Sequence, residues 1–249
     1  MKAVLKTDCG KVRTHNEDSG GIFEQGDRLL AVIADGMGGH RAGDVASQLT
    51  LKYLQEKWEQ SDDLKLDVAE AVEWLNEAIV STNQELYRYA NEHEECRGMG
   101  TTIVAALCFN EHLIVSHVGD SRCYFSDSKG DLKQITEDHS LVNELVKSGH
   151  LSKADAEYHP KKHVIVRALG TDPEINIDTV IMTWTDNCKL LLCSDGLSDK
   201  LSDKDLQNVL NENASLEEKA EALIQFANNA GGEDNITLAI VEHTDGEDL

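Results

Sequence analysis

The sequence predicts an α+β fold: a central β-sandwich of two mostly antiparallel sheets flanked by pairs of helices, an α/β/β/α four-layer arrangement. Three observations predict it. Apolar runs of strand length follow one another with only short polar turns between them, as at 101–109, 112–118 and 122–125. Helical periodicity comes in pairs, at about 42–58 with 66–91 and at about 203–211 with 216–229. A doubly wound parallel sheet would alternate one strand with one helix, and this chain does not.

Taken in order, 29–34 is a short aliphatic run that suits a buried strand. In the first helix Val45, Ala46, Leu49, Tyr53 and Leu54 fall near one face, and in the second Ala71, Leu75, Ala78 and Leu86 do so. After the three consecutive strands a helix is predicted near 141–147. The polar segment 148–163, with Gly149 and Pro160, reads as a mobile flap. Strands near 164–168, 175–183 and 190–193 precede the second helix pair, and a strand at 236–241 closes one domain over 1–249.

Composition narrows the function. The chain has 40% hydrophobic and 28% charged residues, ordinary for a globular protein. Lys and Arg total 23 against 46 Asp and Glu, a formal charge of −23 that repels nucleic acid and anionic membranes. It repels phosphorylated substrates too, so a chain that handles phosphate needs a local cation. No apolar run suits a bilayer, the N-terminus lacks an apolar signal core, and the expected location is the cytoplasm. Six scattered cysteines form no Cys-x-x-Cys pair, and Cys108, Cys123 and Cys193 read as small core hydrophobes.

The chemistry lies in four acidic clusters: Arg13-Thr-His-Asn-Glu-Asp18, Asp35-Gly36, Asp195-Gly196 and Gly231-Gly-Glu-Asp-Asn-Ile-Thr237. Each alone reads equally well as a turn or a cap. Together they read differently, because acids here end strands otherwise committed to the core. Two carboxylates about 4 Å apart repel by roughly 4 kcal/mol at an effective dielectric near 20. Hard oxygen ligands without a His/Cys set point to Mg²⁺ or Mn²⁺. Gly36, lacking a side chain, lets its carbonyl approach an ion and leaves room for metal and water.

The chain resembles the metal-dependent serine/threonine protein phosphatases of type 2C in their compact bacterial form. The resemblance rests on Arg13-x-x-Asn-Glu-Asp18, Asp35-Gly-Met-Gly-Gly-His40, Gly98-Met-Gly-Thr-Thr102, His117-Val-Gly-Asp-Ser-Arg122 and Thr136-x-Asp-His139, and continues through Ile165-Val-Arg-Ala-Leu-Gly170, Leu192-Cys-Ser-Asp-Gly-Leu197 and Asp234-Asn-Ile-Thr237. It implies a binuclear Mn²⁺ or Mg²⁺ centre at one end of the sandwich. By this resemblance Asp35 bridges both ions, Asp195 and Asp234 complete one, and the Gly36 carbonyl with Glu17, directly or through water, serves the other. Asp18 resembles an acid holding metal-bound water, and Arg13 a clamp on the substrate phosphate. Asp120 resembles a ligand of a third, weaker site that Asp195 or Asp199 completes.

The implied reaction is hydrolysis of phosphoserine and phosphothreonine in proteins by a metal-activated water, counteracting serine/threonine kinases, by a monomer without nucleic-acid or membrane partners. A thiolate mechanism is disfavoured, since no Cys-x5-Arg loop exists. Met37 stands where animal relatives place a histidine, which leaves His40 or water to protonate the leaving group; His139 and His159 read as structural or flap residues. Gly98-Met-Gly-Thr-Thr102 lacks the lysine and following helix of a P-loop and reads as a tight turn. Rival readings are a catalytically dead binding module on the same scaffold and a phosphatase restricted to an anti-sigma-factor antagonist.

Overall fold

The structure, a computed structural model, describes residues 1–38, 42–61 and 67–244. The chain opens with β1 (Lys2–Asp8), β2 (Asp18–Gln25), β3 (Arg28–Met37), α1 (Ala42–Glu59) and α2 (Val68–Glu92). A short 3-10 turn leads into β4 (Gly100–Thr101), β5 (Ile103–Phe109), β6 (His112–Val118), β7 (Arg122–Ser126) and β8 (Leu132–Gln134). Then come α3 (Leu141–Lys147), α4 (Lys153–Glu157), β9 (Asp178–Thr183) and β10 (Lys189–Cys193). Helices α5 (Asp195–Ser198), α6 (Asp203–Leu210) and α7 (Leu216–Asn229) precede β11 (Ile236–Glu242).

The strands form two sheets, ordered β1-β11-β10-β7-β8 and β2-β3-β5-β6-β9, with β4 beside the end of β3. Every pairing between strands is antiparallel. The continuous apolar runs follow from burial on both faces. In β3, Leu29, Ala31 and Ile33 point into the space between the sheets, while Leu30 and Val32 point out under α1 and α2. In β10, Leu190 and Leu192 point between the sheets, while Leu191 and Cys193 lie under α6 and α7. With a side-chain period of two, a strand covered on both sides must be apolar at every position. Each such Leu, Ile or Val contributes about 1.5–3 kcal/mol when fully buried. The predicted four-layer sandwich is what these cores build.

The helices start where the sequence places capping residues. Asp67 accepts from the Glu70 N–H at 2.9 Å, and Ser202 and Ser215 close capping boxes with Asp205 and Glu218. The predicted start of the second helix at residue 66 lies outside the described residues.

Four departures from expectation have local reasons. Strands β1 and β2 carry too little apolar character to stand out: Gly20 and Gly21 interrupt β2, and lysines alternate through β1. The segment 164–168 is irregular rather than a strand. Val164 and Val166 face solvent, and the segment is held by a bridge between Ser140 and Ile165 and by the Arg167–Asp178 ion pair. The strand expected over 175–183 is shorter, beginning at Asp178. Segment 148–163 contains the short helix α4 instead of being wholly irregular.

Both Asp-Gly pairs need glycine for close backbone crossing. A Cβ on Gly36 would stand 2.0 Å from the Gly43 carbonyl oxygen, and one on Gly196 only 1.9 Å from that of Asn235. The space that Gly36 leaves is filled by the backbones of Gly43 and Glu17, whereas the sequence suggested room for metal and water. Gly196→Ala is therefore expected to destabilise by about 1–3 kcal/mol in urea titrations, since a backbone carbonyl must give way. Gly26→Ala, in open space at φ 63°, should cost only about 1 kcal/mol from the left-handed conformation.

Candidate metal centre

The acids singled out from the sequence meet at one end of the sandwich. Asp18 begins β2 and stands directly opposite Asp35 in the register of β2 and β3, where like charges on one face repel. Asp120 sits between β6 and β7, Asp195 opens α5 straight after β10, and Asp234 lies two residues before β11. Asp35 feels the charges of Asp18, Asp195, Asp120 and Asp234. Carboxylates gathered this closely disfavour one another's charged form unless protons or cations are shared among them.

Asp35 is held rigidly by its backbone. Its N–H donates to Thr102 Oγ1 at 3.0 Å, and its carbonyl accepts from the Thr102 N–H at 2.8 Å and from Thr101 Oγ1 at 2.9 Å. Thr102 Oγ1 in turn meets Ser121 Oγ at 2.7 Å, which ties the turn at 98–102 to the one carrying Asp120. The glycine-rich turn thus serves as a brace.

Asp18 accepts from Ser194 Oγ at 2.7 Å, and Ser194 Oγ accepts from the Thr237 N–H at 3.0 Å. Asn235 joins the chain ends: its Nδ2 donates to the carbonyls of Cys9 (3.0 Å) and His15 (2.9 Å), and its Oδ1 accepts from the Glu17 N–H at 2.8 Å. The Glu17 carbonyl accepts from the Gly36 N–H at 3.1 Å. Arg13 Nη2 lies 2.7 Å from Asp234 Oδ2. Sequence reading missed Ser194 and Asn235, although both adjoin acids it had marked.

Burial is graded. Asp18 and Asp120 are 8% and 7% exposed, and Asp35, Asp195 and Asp234 are partly buried. Burial, and then its carboxylate neighbours, hold Asp35 well above the usual carboxylate range. Burial pushes Asp18 up to about 7 against the hydrogen bonds of Ser194 and Thr237, and with Asp195 it pushes Asp120 up to about 8. Burial, Asp234 and Asp199 raise Asp195 to about 6. Burial also raises Glu17, with Arg13 opposing.

These residues fit a divalent ion. The donors are hard oxygens, and Asp120 Oδ1 is buried without a hydrogen-bond partner, as an oxygen meant for a cation would be. His163 Nδ1, on the segment expected as a flap, approaches Asp199 Oδ2 at 3.2 Å, and these two with Asp195 form one compact group.

A second compact group, His117, His139 and Asp178, is a structural brace. His139 Nδ1 accepts from the Gly119 N–H at 3.1 Å, so in the neutral ring Nε2 carries the proton toward Asp178 Oδ2 at 3.3 Å. Burial and two neighbouring cationic or imidazole groups lower the His139 pKa and keep it neutral. With both nitrogens engaged, its lone pairs are not available to an ion, and the ring supports the turn of Asp120. The expectation of a structural His139 agrees with this. His40 lies outside the described residues, and Met37 pairs with Gly100 at the end of β3.

Comparison with known proteins gives one consistent answer. The family model described as protein phosphatase 2C matches residues 7–237. The chain is similar to the serine/threonine phosphatase stp of Listeria welshimeri, with 43% identity over 243 residues, covering 97% of this chain and 96% of that one. The S. agalactiae serine/threonine phosphatase superposes with a TM-score of 0.91 at 37% identity, over 98% of this chain and 99% of that one. The catalytic domain of the serine threonine protein phosphatase PstP, solved with 2 manganese ions, superposes at 0.83 with 33% identity over 97% of each chain.

The raised carboxyl pKa values set a direction for stability. Between the unfolded value of 3.8 and the folded values of about 6 to 8, the folded chain holds more protons than the unfolded one. These groups therefore favour folding at low pH, and their contribution is lost as pH rises through that window. After chelation, the Tm is expected to fall between about pH 6 and pH 8, and Mn²⁺ should raise it more at the higher pH. Asp35→Asn should raise the Tm of the chelated protein and shrink the Mn²⁺ shift. Scanning fluorimetry at the two pH values reads both effects, and a Tm that climbs with pH after chelation would contradict them.

Proposed function

The chain belongs to the protein phosphatase 2C family, and from that premise we propose that it hydrolyses phosphoserine and phosphothreonine in proteins with Mn²⁺ or Mg²⁺ as cofactor. The observation that carries this reading is the convergence of Asp18, Asp35, Asp120, Asp195 and Asp234 at one end of the sandwich. So much paired acid suits divalent cations and, through them, an anionic substrate.

The ligands we assign are Asp35, Asp195 and Asp234 with the Gly36 carbonyl and Glu17 for two ions, and Asp120 for a third, weaker one. When bound, such ions acidify water and neutralise the charge of a phosphoryl group. The chain's own residues do the rest. Arg13, on an exposed loop, is anchored on Asp234; when Asp234 turns to a cation, its planar fork can take two phosphate oxygens. Asp18, fixed by Ser194 behind Asp35, is placed to accept a proton from water. The braces from Thr101, Thr102 and Asn235 hold these groups in place, so little reorganisation is needed.

Further parts of the proposal concern context. Segment 148–163 acts as a flap beside the site within a single catalytic domain. The enzyme acts as a monomer in the cytoplasm and opposes serine/threonine kinases. Among the described residues no helix is long and apolar enough to cross a membrane.

Chelation by EDTA should abolish turnover of a phosphothreonine peptide, and Mn²⁺ should restore it; turnover untouched by chelation would refute the reading. Asp195→Asn is expected to cost on the order of 100-fold or more in kcat while leaving the chelated protein at least as stable, since a buried repulsive charge is gone.

A further inference from the structure

Next to the carboxylate cluster lies a groove of about 1060 Å³, bounded by β8, α4 and the start of α6 and reaching Asp120 and Asp195 at its inner end. Its lining departs from the charge of the whole chain. Acids outnumber bases 46 to 23 overall, yet the groove lining matches its six acids with six bases, Arg122, Lys133, Lys153, Lys162, Lys200 and Lys204.

Three of these cations are engaged. Arg122 clasps Asp138 through Nε at 3.0 Å and Nη2 at 2.7 Å, Lys162 faces Asp199 at 3.5 Å, and Lys200 pairs with Glu233. Of the lining acids, Glu137 is neutralised by Lys147 at 2.7 Å, and Asp120 and Asp195 belong to the ion cluster. Asp203 is then the one lining acid without a partner, against Lys133, Lys153 and Lys204. Among the described residues, no carboxylate stands within ion-pair distance of those three lysines. They come from three different elements, β8, α4 and α6, and all three line the groove. Tyr158, 86% exposed, stands in the same lining. An exposed aromatic ring contributes contact area at low entropic cost.

Ammonium groups that line one groove without an ion-pair partner attract an anionic segment laid along it. We propose that this groove binds an acidic flank of the substrate polypeptide, carrying Asp, Glu or a second phosphorylated residue, while the reacting phosphate sits at the carboxylate cluster. The inference rests on the phosphatase reading and names the substrate class that the site prefers. It runs against the bulk electrostatics, because a chain of charge −23 should otherwise disfavour acidic peptides.

The test compares two phosphothreonine peptides that differ only in flanking Glu against Gln, alongside p-nitrophenyl phosphate, which is too small to reach the groove. The wild-type enzyme with Mn²⁺ is expected to favour the Glu peptide about tenfold in kcat/KM, as three exposed charge contacts would allow. The preference should shrink as ionic strength rises. The triple variant Lys133→Ala, Lys153→Ala, Lys204→Ala should lose the preference and keep its p-nitrophenyl phosphate turnover, and the matching triple Lys→Arg variant should retain both. Equal kcat/KM for the two peptides, or a preference that survives the triple alanine variant, overturns the groove while p-nitrophenyl phosphate turnover persists. An enzyme inert toward all three compounds overturns the phosphatase reading, and this inference with it.

Discussion

Carboxylate repulsion at one end of the sandwich is the constraint to which the surrounding structure answers. Asp18 and Asp35 face each other across β2 and β3, and Asp120, Asp195 and Asp234 close in from three other parts of the chain. Left to itself such a cluster would splay apart or hold protons, and the raised pKa values of Asp18, Asp120 and Asp195 record that tension. What resists it is the doubly covered sandwich. Strands β3 and β10, each apolar on both faces, are locked by the cores on either side, so the acids at their ends have nowhere to retreat. Stability that the core supplies is thus partly given up at the site, as is common where geometry must be fixed in advance.

The braces around the acids are hydrogen bonds between segments far apart in the chain. Ser194 links Asp18 to β11, Asn235 gathers the loop before β2, and Thr102 and Ser121 couple the turns that carry Asp35 and Asp120. Polar groups buried in this way hold their positions well only when all are satisfied. The unpartnered Asp120 Oδ1 is an exception, and it lies where the proposed third ion would bind. Electrostatics also divides the surface. The acid that makes the chain strongly anionic overall gives way, beside the site, to a groove lined by as many bases as acids. Metal and groove would then act together, one on the phosphate and the other on its acidic neighbours.

Much of this was legible because it is written in local pattern. Strand β3 was readable from six consecutive apolar residues, and the helix pairs from their periodicity. Asp35 and Asp195 stood out because an acid after a buried run is unusual, and Asp234 because it leads into the last strand. Strand β2 was not readable, since Gly20 and Gly21 lower its propensity and its pairing with β3 supplies what the residues lack. The segment 164–168 looked like a strand because of its Val and Ile, but Val164 and Val166 face solvent and it joins neither sheet. The two glycines of the Asp-Gly pairs were marked, but their reason was not visible: it lies in the carbonyls of Gly43 and Asn235, which only folding brings near.

The sequence alone therefore determined the layer architecture and the identity of the acids, because periodicity and residue type are properties of neighbours in the chain. Only the tertiary structure decided that Asn235 and Ser194 brace the site, that His139 supports a turn, and that three lysines line one groove. Those are relations between residues many positions apart, set by strand register and by the crossing of loops. No local pattern encodes them, because the energy that fixes them arises only when the two sheets close on each other.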